Sequence, residues 1–203
     1  MKLVIIGAAG NVGQRLVNEA LSRGHVVTAV GPTMSKLQDL GNVNAKEGQY
    51  EDPDRLAEVS AGHDIVISAV RFVKYEASQM LEAVRKSGVC RLAVVGGAGS
   101  LTAPNGGLVV DGPNFPEVAR PEAQAGQKVL DALMGEKDID WTFLSPSAVF
   151  APGEATGQFR LGGDNLLIAE NGKSHISYED FAIALLDEVE TPKHSRRRFT
   201  VGY

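Results

Sequence analysis

Apolar residues along the chain fall into two alternating patterns. Runs such as "KLVIIG", "HVVTAV", "DIVISAV" and "CRLAVVGG" read as strands, "DWTFLSPSAVF" reads as a sixth strand and the loop that leaves it, and an unbroken apolar run such as "KLVIIG" suits burial on both faces of a sheet. Between them, apolar positions recur with helical spacing. In "NVGQRLVNEALSRG", Val12, Leu16, Val17, Ala20 and Leu21 share one face, and Gly24 stands where a helix-ending glycine would. "SKLQDL" predicts a short helix, and "DPDRLAEVSAG" a helix that starts at Pro53. "YEASQMLEAVRKSG" and "EAQAGQKVLDALMGE" predict two longer ones, and "VNAKEG" a weak third strand.

This alternation, with short links, predicts an α/β fold: a doubly wound parallel sheet joined by right-handed crossovers and covered on both faces. One domain takes in residues 1–203. Residues 154–203 read differently, as a small α+β extension that forms the wall of a cleft beside the sheet. There "FRLGG" and "NLLIAENG" suggest short strands with a turn at Asn171-Gly172, "HISYEDFAIALLDEV" a helix, and "RRFTVGY" a closing strand. Ser177 followed by Asp180 resembles a capping box with Asp in place of Glu.

The first βα link reads "GAAGNVG". Gly7 permits the tight turn out of the strand, Gly10 lets a bound group approach the backbone, and Gly13 lets the helix pack closely. The helix would then offer free N–H groups and its positive dipole end to a pyrophosphate. A glycine-rich turn that binds nothing is the alternative reading. Strand, turn and helix in this order are the context that the binding motif requires.

At this point the chain resembles an atypical short-chain dehydrogenase/reductase with a Rossmann-type fold. It is closest to small NAD(P)H-binding proteins described as NADH–flavin reductases, related to flavin/biliverdin reductase and to NmrA-like proteins. The resemblance lies in "GAAGNVGQRLVNEALSRGHVVTAV", "LAVVGGAGSL", "DIDWTFLSPSAVF", "GQFRLGGDNLL" and "ISYEDFAIALLDEVETPKHSRRRFTVGY", and so takes in nearly the whole chain. It implies a bound NADP or NAD. Ala9, Asn11 and Val12 would touch the pyrophosphate with the glycines. Ala69, Val70 and Arg71 would pass near the adenine ribose and the phosphates. Gly96, Gly97 and Ala98 would border the nicotinamide, and "SPSAV" from Ser145 would close over it.

The sequence departs from that family in two places. After the second strand, where NADP users carry an arginine, it has "VGPTMSKL" with Pro32 at that position, and no acidic residue suited to NAD is near. Thr33, Ser35 and Lys36 could hold a 2′-phosphate, or serve as ordinary turn and helix-start residues. On the helix after strand five, Arg120 and Gln124 have the spacing of the family's Tyr-x-x-x-Lys pair, and Lys128 lies one turn on. Without the tyrosine, the family's usual proton donor to a carbonyl is missing. Ser100 stands near the family serine and could orient a substrate oxygen, or cap a loop. Hydride transfer to a flavin needs no such tyrosine, because solvent can supply the second proton.

The expected function is therefore an NAD(P)H-dependent oxidoreductase that acts on a flavin-like or quinone-like planar acceptor. A non-catalytic NmrA-like dinucleotide sensor and a non-redox isomerase or dehydratase derived from a reductase are the alternatives. Phe72 and Tyr75 could stack on a flat ring, with core packing as the other reading. The long loop around Asp111 and Asn114 reads as a lid or as static structure.

Composition narrows the setting. Hydrophobic residues make up 43% and charged residues 22% of the 203 positions, as in ordinary globular domains. A net charge of −5 gives a nucleic-acid partner no electrostatic support, and the basic run "HSRRRF" reads as a solvated strand end, with an anion-binding patch as the other reading. No apolar run nears the about 20 residues that cross a bilayer, so no membrane partner is expected. Single Cys90 excludes an internal disulfide, fits a cytoplasmic location, and falls in a strand that should bury it. His25, His63, His175 and His194 show no metal-ligand spacing, and no metal is expected. A homodimer is left open, with the helix after strand four as the surface to consider.

Overall fold

The computed structural model describes every residue from Met1 to Tyr203. Strand β1 (Lys2–Ile6) shows why an unbroken apolar run is needed. Leu3 and Ile5 enter the core on one side of the sheet, Val4 and Ile6 the core on the other, and each is at most 1% exposed. Around it lie β2 (Val26–Gly31), β3 (Asn44–Glu47), β4 (Ile65–Ser68), β5 (Arg91–Val95) and β6 (Asp140–Pro146). Three more strands are β7 (Val149–Ala151), β8 (Arg160–Gly162) and β9 (His175–Ser177), and β10 (Arg197–Gly202) closes the chain. The main sheet runs β3-β2-β1-β4-β5-β6-β10-β8, parallel except for β8 against β10, while β7 and β9 form a separate parallel pair. Strand order thus reverses between β1 and β4, which leaves a crevice at their C-terminal ends.

Helices cover both faces. α1 (Asn11–Ser22) and α6 (Tyr178–Glu190) pack together on one side, where Leu16, Val17, Phe181 and Leu185 are fully buried. α3 (Pro53–Ser60), α4 (Ala77–Ser87) and α5 (Arg120–Met134) lie on the other side, with short α2 (Met34–Gln38) after β2. α1 ends as its sequence suggests, with Gly24 at φ 78°. Asp52 caps α3 by accepting from the Arg55 N–H at 3.0 Å, with Pro53 in the first turn.

Three local expectations need correction. Cys90 is exposed, because β5 begins only at Arg91 and the residue stands outside the sheet. "NLLIAENG" forms no strand. After the bridge at Asn165 it runs as irregular chain, closed by a Gly172 N–H bond to the Ala169 carbonyl at 2.9 Å. The Ser177–Asp180 capping box is half formed. Ser177 accepts from the Asp180 N–H at 2.9 Å, but the Asp180 carboxylate turns to other donors. Within residues 154–203, β10 and β8 extend the main sheet beyond β6. No helix is long and apolar enough to cross a membrane.

Asp180 is fully buried, and it ties the last residues to the fold. Thr156 Oγ1 and Tyr203 Oη each donate to it at 2.6 Å, and the Gly157 N–H at 2.8 Å. Burial pushes its pKa up, but these donors outweigh burial and hold it below the usual carboxylate range. A carboxyl depressed in the folded state stabilises above its unfolded pKa, and that contribution disappears as pH falls through the folded value. Asp180→Asn should therefore lower stability by about 2 kcal/mol at neutral pH. Melting curves across pH should show the gap from wild type shrinking below about pH 4; a gap of constant size would contradict this role.

Candidate functional site

The glycine turn is built by exclusion of side chains. Gly7 takes φ 84°, and a Cβ on it would lie 2.7 Å from the Ala69 carbonyl oxygen at the end of β4. A Cβ on Gly13 would lie 2.2 Å from the Gly7 carbonyl oxygen. Neither gap admits a methyl group, so the turn, α1 and β4 approach backbone to backbone. Gly7 and Ala8 N–H groups bond the Val30 carbonyl at 2.9 and 3.3 Å, which pins the turn to the end of β2 as well. The N–H groups of Asn11, Val12 and Gly13 have no acceptor within the protein. Free donors at a helix N-terminus beside a side-chain-free turn fit a pyrophosphate, by dipole and by hydrogen bonding.

A cleft of about 750 Å³ opens at this point, across the C-terminal ends of the strands. Ala9 to Val12 line it after β1, and Ala69, Val70, Arg71 and Phe72 line it after β4. Val95 at the end of β5 and the residues after it to Ser100 line it, as do Pro146 at the end of β6, Ser147 and Ala148, so most of the expected cofactor residues meet in one place. Gly7 and Gly13 shape the turn without lining the cleft. Thr33, Ser35 and Lys36 are exposed on the link into α2 and in its first turn, outside the lining.

Ser145 is a correction. It is 0% exposed inside β6, its hydroxyl has no partner, and its carbonyl accepts from Thr200 Oγ1 at 2.8 Å. The strand ends only at Pro146, so the residue that reaches the lining is Ser147, with its hydroxyl donated to the Val201 carbonyl at 3.0 Å. Ser100 does line the cleft. Its Oγ accepts from Arg198 Nη1 at 3.1 Å, and its own proton has no acceptor. Arg198 also donates to the Ser100 carbonyl at 2.7 Å and pairs with Asp164 at 2.7 Å. Positive charge behind the hydroxyl favours donation of that proton to a ligand oxygen.

Several lining residues lie beyond what the sequence reading placed there. α5 contributes Glu122, Ala123 and Gly126, and Ala119 just before it continues their helical spacing on one face. Gln124 and Lys128 point away and are exposed. Arg120 is held at the start of the helix by Glu117 at 2.8 Å and by the Val110 carbonyl at 2.6 Å. Phe115 and Pro116 come from the long loop, Phe143 and Phe150 from β6 and β7, and Tyr178 from the start of α6. Tyr178 meets Phe150 edge-on at 4.6 Å, and Phe72 stacks on Phe143 at 5.9 Å. Tyr75 stays outside the lining in the core, where burial pushes its hydroxyl above the usual range. The histidines also lie elsewhere: His63 bonds Thr28 Oγ1 at 2.8 Å, and His194 bonds Glu188 at 2.8 Å.

"HSRRRF" is partly built in rather than only solvated. Arg198 reaches Ser100, and together with Arg196 and Arg197 it also lines a separate depression of about 540 Å³ beside Trp141 that does not include the glycine turn.

Glu122 is the only carboxylate in the cleft lining. It accepts from the Phe72 N–H at 2.7 Å and the Val73 N–H at 3.3 Å, and it stands 3.5 Å from Arg71. It thus clamps the single 3₁₀ turn, Phe72–Lys74, that follows β4. In Glu122→Ala, hydrogen exchange at the Phe72 amide should speed up by at least about tenfold. An unchanged rate would mean that the turn holds without the clamp.

Comparison with known proteins agrees with this geometry. A model of the family described as NAD(P)H-binding matches residues 7–192. A protein of Bacillus subtilis (strain 168) called "Uncharacterized protein YwnB" is 39% identical over 211 residues, which take in 99% of this chain and 98% of that one. A crystal structure from Bacteroides thetaiotaomicron, named a "putative epimerase", is 42% identical with a TM-score of 0.93, over 100% of this chain and 96% of that one. Another, from Streptococcus pneumoniae TIGR4 and named a "putative NADH-flavin reductase", is 35% identical with a TM-score of 0.83, over 100% and 99% of the two chains. The match begins at the first glycine of the turn and ends just past α6, and the chain belongs to the NAD(P)H-binding family.

Proposed function

We propose that the protein is an NAD(P)H-dependent oxidoreductase that passes hydride to a flavin or another flat acceptor. One observation carries this reading. The cleft joins a glycine turn with free N–H donors to an apolar, ring-lined space, and its lining holds no histidine, cysteine, lysine or aspartate. A bound nicotinamide would supply the hydride, and the protein would supply alignment and dryness. Asn11 and Val12 would hold the pyrophosphate through their N–H groups, with Arg71 beside it. Phe72 and Phe143 would form a flat wall, and Ser100 would donate a hydrogen bond to an acceptor oxygen. The name of the pneumococcal relative points the same way.

The name of the Bacteroides relative points to isomer chemistry. That reaction needs a proton-transferring group at a saturated carbon. In the lining, Glu122 is committed to backbone amides and Tyr178 packs edge-on against Phe150, while Arg120, at the spacing of the family tyrosine, is paired with Glu117 outside the lining. Flat-acceptor reduction asks least of such a site.

The test follows absorbance at about 340 nm, the reduced-nicotinamide band, with NADPH or NADH and a panel of flavins and quinones. The expected result is acceptor-dependent loss of the band. Gly97→Leu should cut both dinucleotide affinity and turnover by at least about tenfold while the melting temperature holds. A Cβ at Gly97 meets only the Phe72 ring, at an ordinary 3.8 Å, so the larger side chain fills the cleft rather than the core. Binding without oxidation would favour a sensor, and turnover without any dinucleotide would favour a non-redox enzyme.

A further inference from the structure

The charges around the cleft carry the proposed reductase reading one step further, to the kind of acceptor. The lining has a single cation, Arg71, which follows β4 and stands 3.5 Å from the one carboxylate of the lining, Glu122. Opposite, where Phe115, Pro116, Ala148, Phe150 and Tyr178 line the space, there is no charged side chain. Arginines do surround that apolar part, but each is already matched. Arg15 lies 5.7 Å over the Tyr178 ring and pairs with Glu179 at 2.9 Å. Arg120 lies 5.6 Å from the Phe115 ring and pairs with Glu117 at 2.8 Å. Arg198, behind Ser100, pairs with Asp164 at 2.7 Å.

An anionic group seated against Phe115, Phe150 and Tyr178, which are half-buried, would give up part of its water and find no unpaired cation there, which is unfavourable. The chain's net charge of −5 adds a mild repulsion at longer range. A dinucleotide avoids the first of these penalties, because its phosphates would meet the free N–H groups of the α1 N-terminus, with Arg71 beside them. We infer that the acceptor is an uncharged flat ring, a neutral quinone or a flavin without phosphate, and that phosphorylated flavins and other anionic acceptors are excluded.

The reaction balances without another reagent. The acceptor gains a hydride from NAD(P)H and one proton from water, and leaves as its two-electron-reduced form, a hydroquinone or a dihydroflavin. NAD(P)⁺ remains. Ser100 donates to the ring oxygen on which negative charge grows, and water returns the proton there.

Two matched pairs separate charge from ring type: naphthoquinone against its sulfonate, and riboflavin against FMN. Binding of each is measured by calorimetry on the protein saturated with NADP⁺, and turnover with NADPH. The neutral member of each pair should bind, and turn over, at least about tenfold better, as expected when one charge must be stripped of water without a partner. Ala148→Lys places a cation on the exposed lip of the apolar part and should narrow the riboflavin–FMN gap severalfold. FMN and the sulfonate binding and turning over as well as their neutral partners would overturn the inference and leave the reductase reading standing. NADPH bound but unoxidised with all four acceptors would overturn both.

Discussion

The molecule depends on a contact that contains no side chain. Between β1 and α1 the chain must turn within a space bounded by the Ala69 carbonyl on one side and by its own Gly7 carbonyl on the other. A methyl group at Gly7 or Gly13 would overlap backbone atoms, and backbone cannot rotate away as a side-chain tip can. This close approach sets the distance of α1 from the sheet. It also leaves the first N–H groups of the helix without partners at the point where strand order reverses. An open donor set beside an open crevice follows from the packing itself.

The rest of the cleft is assembled around that fixed edge from distant parts of the chain. Glu122 on α5 reaches back about a quarter of the sequence to hold the turn after β4, and Phe72 is thereby pressed on Phe143 of β6. Arg198 on β10 crosses from the last strand to fix Ser100 after β5. Asp180, Thr156 and Tyr203 close the C-terminal segment on α6, whose first residue, Tyr178, completes the wall. Rigid strands carry the backbone part of the site, and side-chain clamps carry the part that comes from loops.

What the sequence disclosed follows the range of the interactions involved. Local patterns spoke plainly. The alternate burial of Leu3, Val4, Ile5 and Ile6, the face of α1 and the glycine turn each depend on residues within one or two turns of one another. Single-residue boundaries did not. Cys90 reads as part of a strand but stands one residue before β5 and is exposed, while Ser145, expected to close over the nicotinamide, lies inside β6, because nothing local marks where "DWTFLSPSAVF" passes from strand to loop. Long-range pairs left no local trace. Glu122 looks like an ordinary first-turn acid on a helix, and only folding brings it to the Phe72 amide. Its spacing with Ala119, Ala123 and Gly126 was a usable signal, since small residues on one face of a helix mark a surface that something else approaches.

A crystal structure of the protein with NADPH bound tests most directly the assignment of the dinucleotide to the strand-end crevice. The account predicts the pyrophosphate at the Asn11 and Val12 N–H groups and the nicotinamide beside Gly97, with the apolar part of the cleft still open for a second ring. NADPH seated instead in the arginine-rimmed depression beside Trp141, with the glycine turn bare, would contradict it.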